Sequence, residues 1–131
     1  MKTILCALML LMLASPALAL SGRWITQSGN FEIEIAPCGA ALCGTAVKVL
    51  ANHSMASVGA ESSNVPSVGL QVLRDLQPDG DNRWYGHIYD RENGKTYRCR
   101  LTLLESGDLE VRPYIGLPLF GRSQIWRHAF D

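Results

Sequence analysis

Short segments of two-residue alternation recur from residue 22 onward, and they constrain the fold more than any other feature of the chain. In Phe31-Glu32-Ile33-Glu34-Ile35 apolar and acidic residues alternate without a break, as a strand with one buried and one wet face requires. Tyr97-Arg98-Cys99-Arg100-Leu101-Thr102-Leu103 repeats the pattern, with Tyr97, Cys99, Leu101 and Leu103 inward and the arginines outward. Its turn, Glu105-Ser106-Gly107, leads into Asp108-Leu109-Glu110-Val111-Arg112. Pairing Leu103 with Leu109 and Leu101 with Val111 keeps both apolar sets on one face, which predicts that register. On the other side, Arg83-Trp84-Tyr85-Gly86-His87-Ile88-Tyr89 joins through Asp90-Arg91-Glu92-Asn93-Gly94, a polar hairpin turn ending in Gly. That turn sets Trp84 opposite Leu101 and Ile88 opposite Tyr97. Further strands are predicted at Gly22 to Thr26, Cys43 to Leu50, Val68 to Leu76 and Leu119 to Arg127. About eight strands at such spacing mark an all-β sandwich or barrel.

The first residues read differently. MKTILCALMLLMLASPALAL has Lys2 as a short positive start, an apolar run from Ile4 to Leu13, and the small-residue ending Ala17-Leu18-Ala19. This predicts a secretory signal peptide over residues 1–19 and one exported, periplasmic or secreted domain over 20–131. The run is too short to span a bilayer, so no stable membrane insertion is expected once it is removed. Cys6 leaves with it. Twelve Lys and Arg balance twelve Asp and Glu, which argues against a general affinity for nucleic acid or for an anionic membrane.

Export bears on the stretch Ala36-Pro37-Cys38-Gly39-Ala40-Ala41-Leu42-Cys43-Gly44. Zinc would need a second ligand pair, and His53, His87 and His128 are scattered. A thioredoxin-type site would need a C-x-x-C ahead of a helix. In an oxidising compartment a Cys38–Cys43 disulfide closing a hairpin is the expected state, with Cys99 a free inward thiol. So short a loop contributes about 2 kcal/mol.

No other constellation signals chemistry. Glu32 and Glu34 fall on the wet strand face, Asp79-Gly80-Asp81-Asn82 is too short for an EF-hand loop, and Ser123 has no nearby histidine to serve as base. No metal, cofactor or catalytic residue is expected, and the chain is read as a non-enzyme. Ala51 to Pro66 is small, polar and aperiodic, a surface connection or a lid over an opening. Arg112, Tyr114, Phe120, Arg122 and Trp126 form the clearest aromatic and basic cluster. It either plugs the barrel floor or turns Arg112 or Arg122 toward an anionic head group at a mouth.

Gly22-Arg23-Trp24 opens the first strand and Ile125-Trp126-Arg127 closes the last. This resembles the lipocalin-like barrels, in which a G-x-W tryptophan packs beneath a basic residue of the final strand. Trp24 and Arg127 would be that barrel-closing pair, a cation over an indole face. More specifically, Gly22-Arg23-Trp24, Ile33 to Gly39 with Leu42-Cys43-Gly44, Ile88-Tyr89-Asp90 with Asn93 to Tyr97, and Arg112 to Gly116 with Leu119 to Arg122 and Trp126-Arg127 resemble, in order, the secreted bacterial family known as domain of unknown function 2147. Two places depart from its pattern. The acidic-Asn-Pro element is reduced to Asn64 and Pro66, and Pro113 stands where the family prefers Gly, which predicts a bulge or sheet edge there.

The resemblance implies an up-and-down antiparallel lipocalin-like barrel of about eight strands and brings no reaction with it. Such a barrel is filled by its side chains or holds one small ligand. The inward set is expected to be Phe31, Ile33, Ile35, Val47, Val49, Leu70, Val72, Trp84, Ile88, Tyr97, Leu101, Leu103, Leu109 and Val111. The leading expectation is a binding protein for a small apolar or amphipathic ligand, contacted by Trp84, Tyr97 and Leu101 and oriented by Arg112 or Arg122. The alternative is a structural or interaction module of the cell envelope with a filled core.

Overall fold

The chain closes on itself as an eight-stranded antiparallel barrel in strict sequence order, seen here in a computed structural model that describes residues 16–50 and 68–129. A short helix α1 (Pro16–Leu20) precedes β1 (Gly22–Ile25), β2 (Phe31–Cys38), β3 (Ala41–Val49), β4 (Gln71–Pro78), β5 (Arg83–Asp90), β6 (Lys95–Leu103) and β7 (Leu109–Tyr114). A 3-10 turn at Pro118–Phe120 then leads to β8 (Gln124–His128), which pairs back to β1 through Trp24↔His128 and Ile25↔Arg127. Closure pairs each described strand with a neighbour on both sides, which leaves only short local edges exposed. The last predicted strand is thus shorter than expected, because Pro118 opens a 3-10 turn where the strand was read to begin. The described residues include only part of the expected signal peptide, and the expected 51–66 connection lies outside them.

The central registers are those that alternation demands: Trp84↔Leu101 and Ile88↔Tyr97 between β5 and β6, then Leu101↔Val111 and Leu103↔Leu109 between β6 and β7. The β5–β6 turn shows why. Gly94 takes φ +70 and its N–H donates to the Asp90 carbonyl at 2.8 Å, while the Asp90 and Asn93 side chains accept from the N–H groups of Glu92 and Lys95 at 2.8 and 2.9 Å. Each polar turn residue satisfies a backbone donor that the reversal would otherwise strand. Pro113 pairs with Cys99 in regular register, and the ladder to β8 already ends at Val111↔Gln124, so the missing proline donor sits at a local edge.

Three expectations are corrected. On β3 the buried side is Leu42, Gly44 and Ala46, whereas Val49 is 48% exposed and Val47 only half-buried; the register to β2 shifts between Glu32 and Ile33, and the inward phase falls on small residues that carry little apolar signal. Glu32 is 8% exposed rather than wet, because Arg23 reaches across from β1 to its carboxylate at 3.1 Å and to Glu34 at 3.3 Å. These bonds, that from Glu32 foremost, raise the Arg23 guanidinium above its ordinary range. Finally, the ring against Trp24 belongs to His128, with centroids 4.5 Å apart, and not to Arg127. On β8 alternation turns Trp126 inward and Arg127 to solvent, opposite Ile25.

Candidate functional site: the open end of the barrel

Up-and-down order sends alternate connections to opposite ends. Residues 39–40, 79–82 and 104–108 lie at the end where α1 packs, and residues 26–30, 50, 68–70, 91–94 and 115–123 at the other. The first end is filled. Leu20, Trp24, Ile35, Leu42, Leu76, Trp84, Leu101, Leu109 and Val111 are all buried there, and the Trp24 indole N–H donates to the Leu20 carbonyl at 3.0 Å, tying helix to strand. The Cys38–Cys43 disulfide closes the β2–β3 hairpin at this same end. Cys99 is free and buried; loss of water around it pushes its thiol up to about 12, despite a backbone hydrogen bond with Gly86 that acts the other way. It is therefore a packing residue with no reactive thiolate.

The other end opens onto a cavity of about 790 Å³. Its walls are Ile33, Ala46, Val72, Ile88, Tyr97 and Trp126, with Phe31, Tyr114 and Pro113 around them. Its rim is polar and mixed in charge: Thr26, Gln27, Ser28, Asp90, Arg91, Glu92 and Arg122. Arg91 lies over the Phe31 ring at 5.6 Å, and Gln27 accepts the Ile125 N–H at 2.8 Å, pinning the first connection to β8. Tyr97 receives a hydrogen bond from Asn93 of the turn above it at 2.8 Å, and the Trp126 indole donates to Gln124 at 3.2 Å. An apolar well under a polar rim suits a molecule with an apolar body and a polar end.

Of the ligand residues expected from sequence, Tyr97 and Arg122 line this cavity. Trp84 and Leu101 face inward but lie in the filled half, fully buried and away from the lining. Arg112 points outward from β7 and holds the following loop instead: its Nε donates to Pro118 O at 2.6 Å, Nη1 to Ser123 Oγ at 2.8 Å and Nη2 to Leu119 O at 3.5 Å. Tyr114, Arg122 and Trp126 of the C-terminal cluster line the cavity and do not plug the filled end. Ala46, Gln27 and Arg91 were not singled out. The signal for Ala46 was the spacing of Gly44 and Ala46 on one strand face, since small inward residues leave volume in a barrel. Among the described residues no three His, Cys, Asp or Glu side chains converge on a metal position, and no helix is long and apolar enough to cross a membrane.

Eight antiparallel strands in sequence order, sealed at the N-terminal end and open at the other onto an apolar well, define a lipocalin-like barrel. The chain is similar to a solved structure of the protein HP1028 from Helicobacter pylori, described as belonging to the lipocalin family, with a TM-score of 0.64 at 22% identity over 86% of this chain and 84% of that one. At that identity the likeness is one of fold. No curated protein matches the chain. Residues 22–128 match the family described as an uncharacterized protein conserved in bacteria, domain of unknown function 2147, and the chain belongs to that family.

Proposed function

We propose that this protein is an exported, non-catalytic binding protein that takes one small apolar or amphipathic ligand in the open half of its barrel. The cavity carries the reading: about 790 Å³ falls within the roughly 300–1,000 Å³ of small-molecule sites, and an apolar wall with a few polar groups at one end is their usual lining. The apolar body of the ligand meets Ile33, Val72, Ile88 and Trp126, and its polar end meets Arg122, Tyr97 and Gln27 at the rim. Export is supported by the leader-like residues 1–19 and is compatible with a disulfide at Cys38–Cys43, which belongs in an oxidising compartment.

Delipidated mature protein titrated with N-phenyl-1-naphthylamine, and examined by native mass spectrometry with lysophospholipids and fatty acids, tests the proposal. The expected result is saturable binding of one molecule per chain that the natural amphiphiles displace. A barrel that takes up none of these probes, but cross-links reproducibly to one envelope protein, would overturn it in favour of an interaction module.

A further inference from the structure

Beside the cavity the barrel wall is not paired throughout. β7 runs on to Tyr114, yet its ladder to β8 ends at Val111↔Gln124. That break is filled: a Cβ at Gly121 would collide with the Pro113 carbonyl oxygen, and Arg112 holds the same loop through Pro118 O, Leu119 O and Ser123 Oγ. Past Ile25↔Arg127 the Gln27 side chain bridges β1 and β8 by accepting the Ile125 N–H. Between β4 and β5 the wall parts differently. β4 begins at Gln71 and β5 ends at Asp90, but their pairing stops at Leu73↔Ile88. Both strands remain paired on their other sides, through Thr45↔Gln71 and Asp90↔Lys95, so they part only from each other.

A cleft of about 240 Å³ occupies that gap, lined by Leu70, Gln71, Val72, Arg74, Tyr89 and Thr96. Leu70, Val72 and Tyr89 line the well as well. The well and the cleft are thus divided by side chains and not by a ladder, and Val72 and Tyr89 are only half-buried. No carboxylate lines the cleft, whereas Asp90 and Glu92 stand beside Arg91 and Arg122 around the well. Arg74 faces outward by alternation with Leu73. Asp75 takes one side of it, with its carboxylate 4.0 Å from Arg74 Nε and also 3.6 Å from His87 Nδ1. The terminal N–H groups of Arg74 have no hydrogen-bond partner among the described residues, and the Tyr89 and Thr96 hydroxyls stand with them in the cleft.

We propose that the ligand of the well has two polar ends, one held at the mouth and the other an oxyanion that passes between β4 and β5 to the Arg74 guanidinium. This rests on the well being a ligand site, and it names the class of molecule that fits: a long apolar body with an acidic group at its far end. A change of rotamer at Val72 or Tyr89 joins the two spaces. The guanidinium then offers parallel N–H donors to the oxyanion, which Asp75 leaves free on the terminal nitrogens. The barrel gives a second polar end no other way out, because the opposite end is packed with Trp24, Trp84 and Leu101. An unpaired carboxylate buried there would be costly.

Displacement of N-phenyl-1-naphthylamine from the mature protein by hexadecanedioic acid and by hexadecanoic acid, which share one chain length and differ in the second carboxylate, tests it. A second charge ordinarily opposes entry into an apolar well. Here the diacid is expected to bind about fivefold more tightly than the monoacid, the scale of a charge-assisted hydrogen bond to a half-exposed guanidinium. Arg74→Gln should remove that advantage and Arg74→Lys keep part of it, with hexadecanoic acid unaffected in both. Arg122→Gln at the mouth should weaken the two acids alike. Equal or weaker binding of the diacid, an advantage that survives Arg74→Gln, or a loss in that variant shared equally by both acids would overturn the two-ended ligand and leave the well a binding site. Failure of the probe itself to bind saturably would overturn the ligand site, and the second polar end with it.

Discussion

Two substitutions on one face of β3 distinguish a filled barrel from an open one. Gly44 and Ala46 are two residues apart, both inward, yet they meet different surroundings. A Cβ added at Gly44 would stand 3.0 Å from Leu73 Cβ and Cδ1 and 3.1 Å from Ile33 Cγ2. Leu73, fully buried and outside the cavity lining, has nowhere to retreat, whereas Ile33 borders the cavity and can give by only part of the clash. Overpacking of that kind costs about 1–3 kcal/mol, and relief of glycine in a strand returns about 0.5–1 kcal/mol. Gly44→Ala is therefore expected to destabilise by about 1–2 kcal/mol, roughly 5–10 °C in Tm for a domain of this size.

Ala46→Phe adds far more volume and should cost less. Ala46 lines the cavity, so the new ring enters open space, buries apolar surface and suits a strand. Melting followed by near-ultraviolet circular dichroism should show a Tm equal to or above that of the wild type, while N-phenyl-1-naphthylamine affinity falls at least about tenfold, since an occupied well excludes the probe. If Ala46→Phe melts as early as Gly44→Ala, the upper half is packed and the cavity argument fails. If it melts normally and the probe binds as before, the probe sits elsewhere.

Replacing both Cys38 and Cys43 by Ser should cost about 2 kcal/mol, the entropy of so short a closed loop, with probe affinity unchanged because the hairpin lies at the filled end; chemical denaturation and the same titration check both halves. Burial pushes the Cys99 thiol up to about 12 from an ordinary 9.0, so its folded form holds a proton that the unfolded form releases. Stability from this group is complete below about pH 9 and falls as pH rises toward about 12, by at most about 1.4 kcal/mol per pH unit. The difference in denaturation midpoint between wild type and Cys99→Ala should shrink across that range, and a constant difference would contradict the assignment. Gly121→Ala should detach the 115–123 loop from β7, since its Cβ has no room beside the Pro113 carbonyl; faster proteolytic cleavage within that loop, with little change in global Tm, is the expected sign.

Alternation made the sheet legible where turn chemistry agreed with it, as in β5, β6 and β7, whose registers follow from the positions of Trp84, Leu101 and Val111. It failed on β3, where valines at 47 and 49 carry the apolar signal and the buried face is Leu42, Gly44 and Ala46. The site was less legible for a geometric reason. Alternation says whether a side chain points in or out but not how far along the axis it lies, which depends on the stagger of all the strands together. Trp84 and Tyr97 both belong to the inner face, yet one is packed in the filled half and the other faces the cavity. The Arg127 assignment failed for the opposite reason, because the resemblance suggested a cation where alternation alone would have turned His128 toward Trp24.

The division of labour along the axis also explains where the chain places its constraints. The disulfide, the Trp24 bond to Leu20 and most of the large buried side chains are at one end, so that end can hold register without help from the other. The open end can then carry groups that cost stability in water: exposed Ile115, Leu117 and Leu119, small Ala46 where a larger residue would fill the well, and an arginine, Arg112, committed to holding a loop. A barrel selected only for stability would bury those side chains and enlarge that alanine. A small Ala46 beside the cavity mouth keeps the well open, as the proposed ligand binding requires.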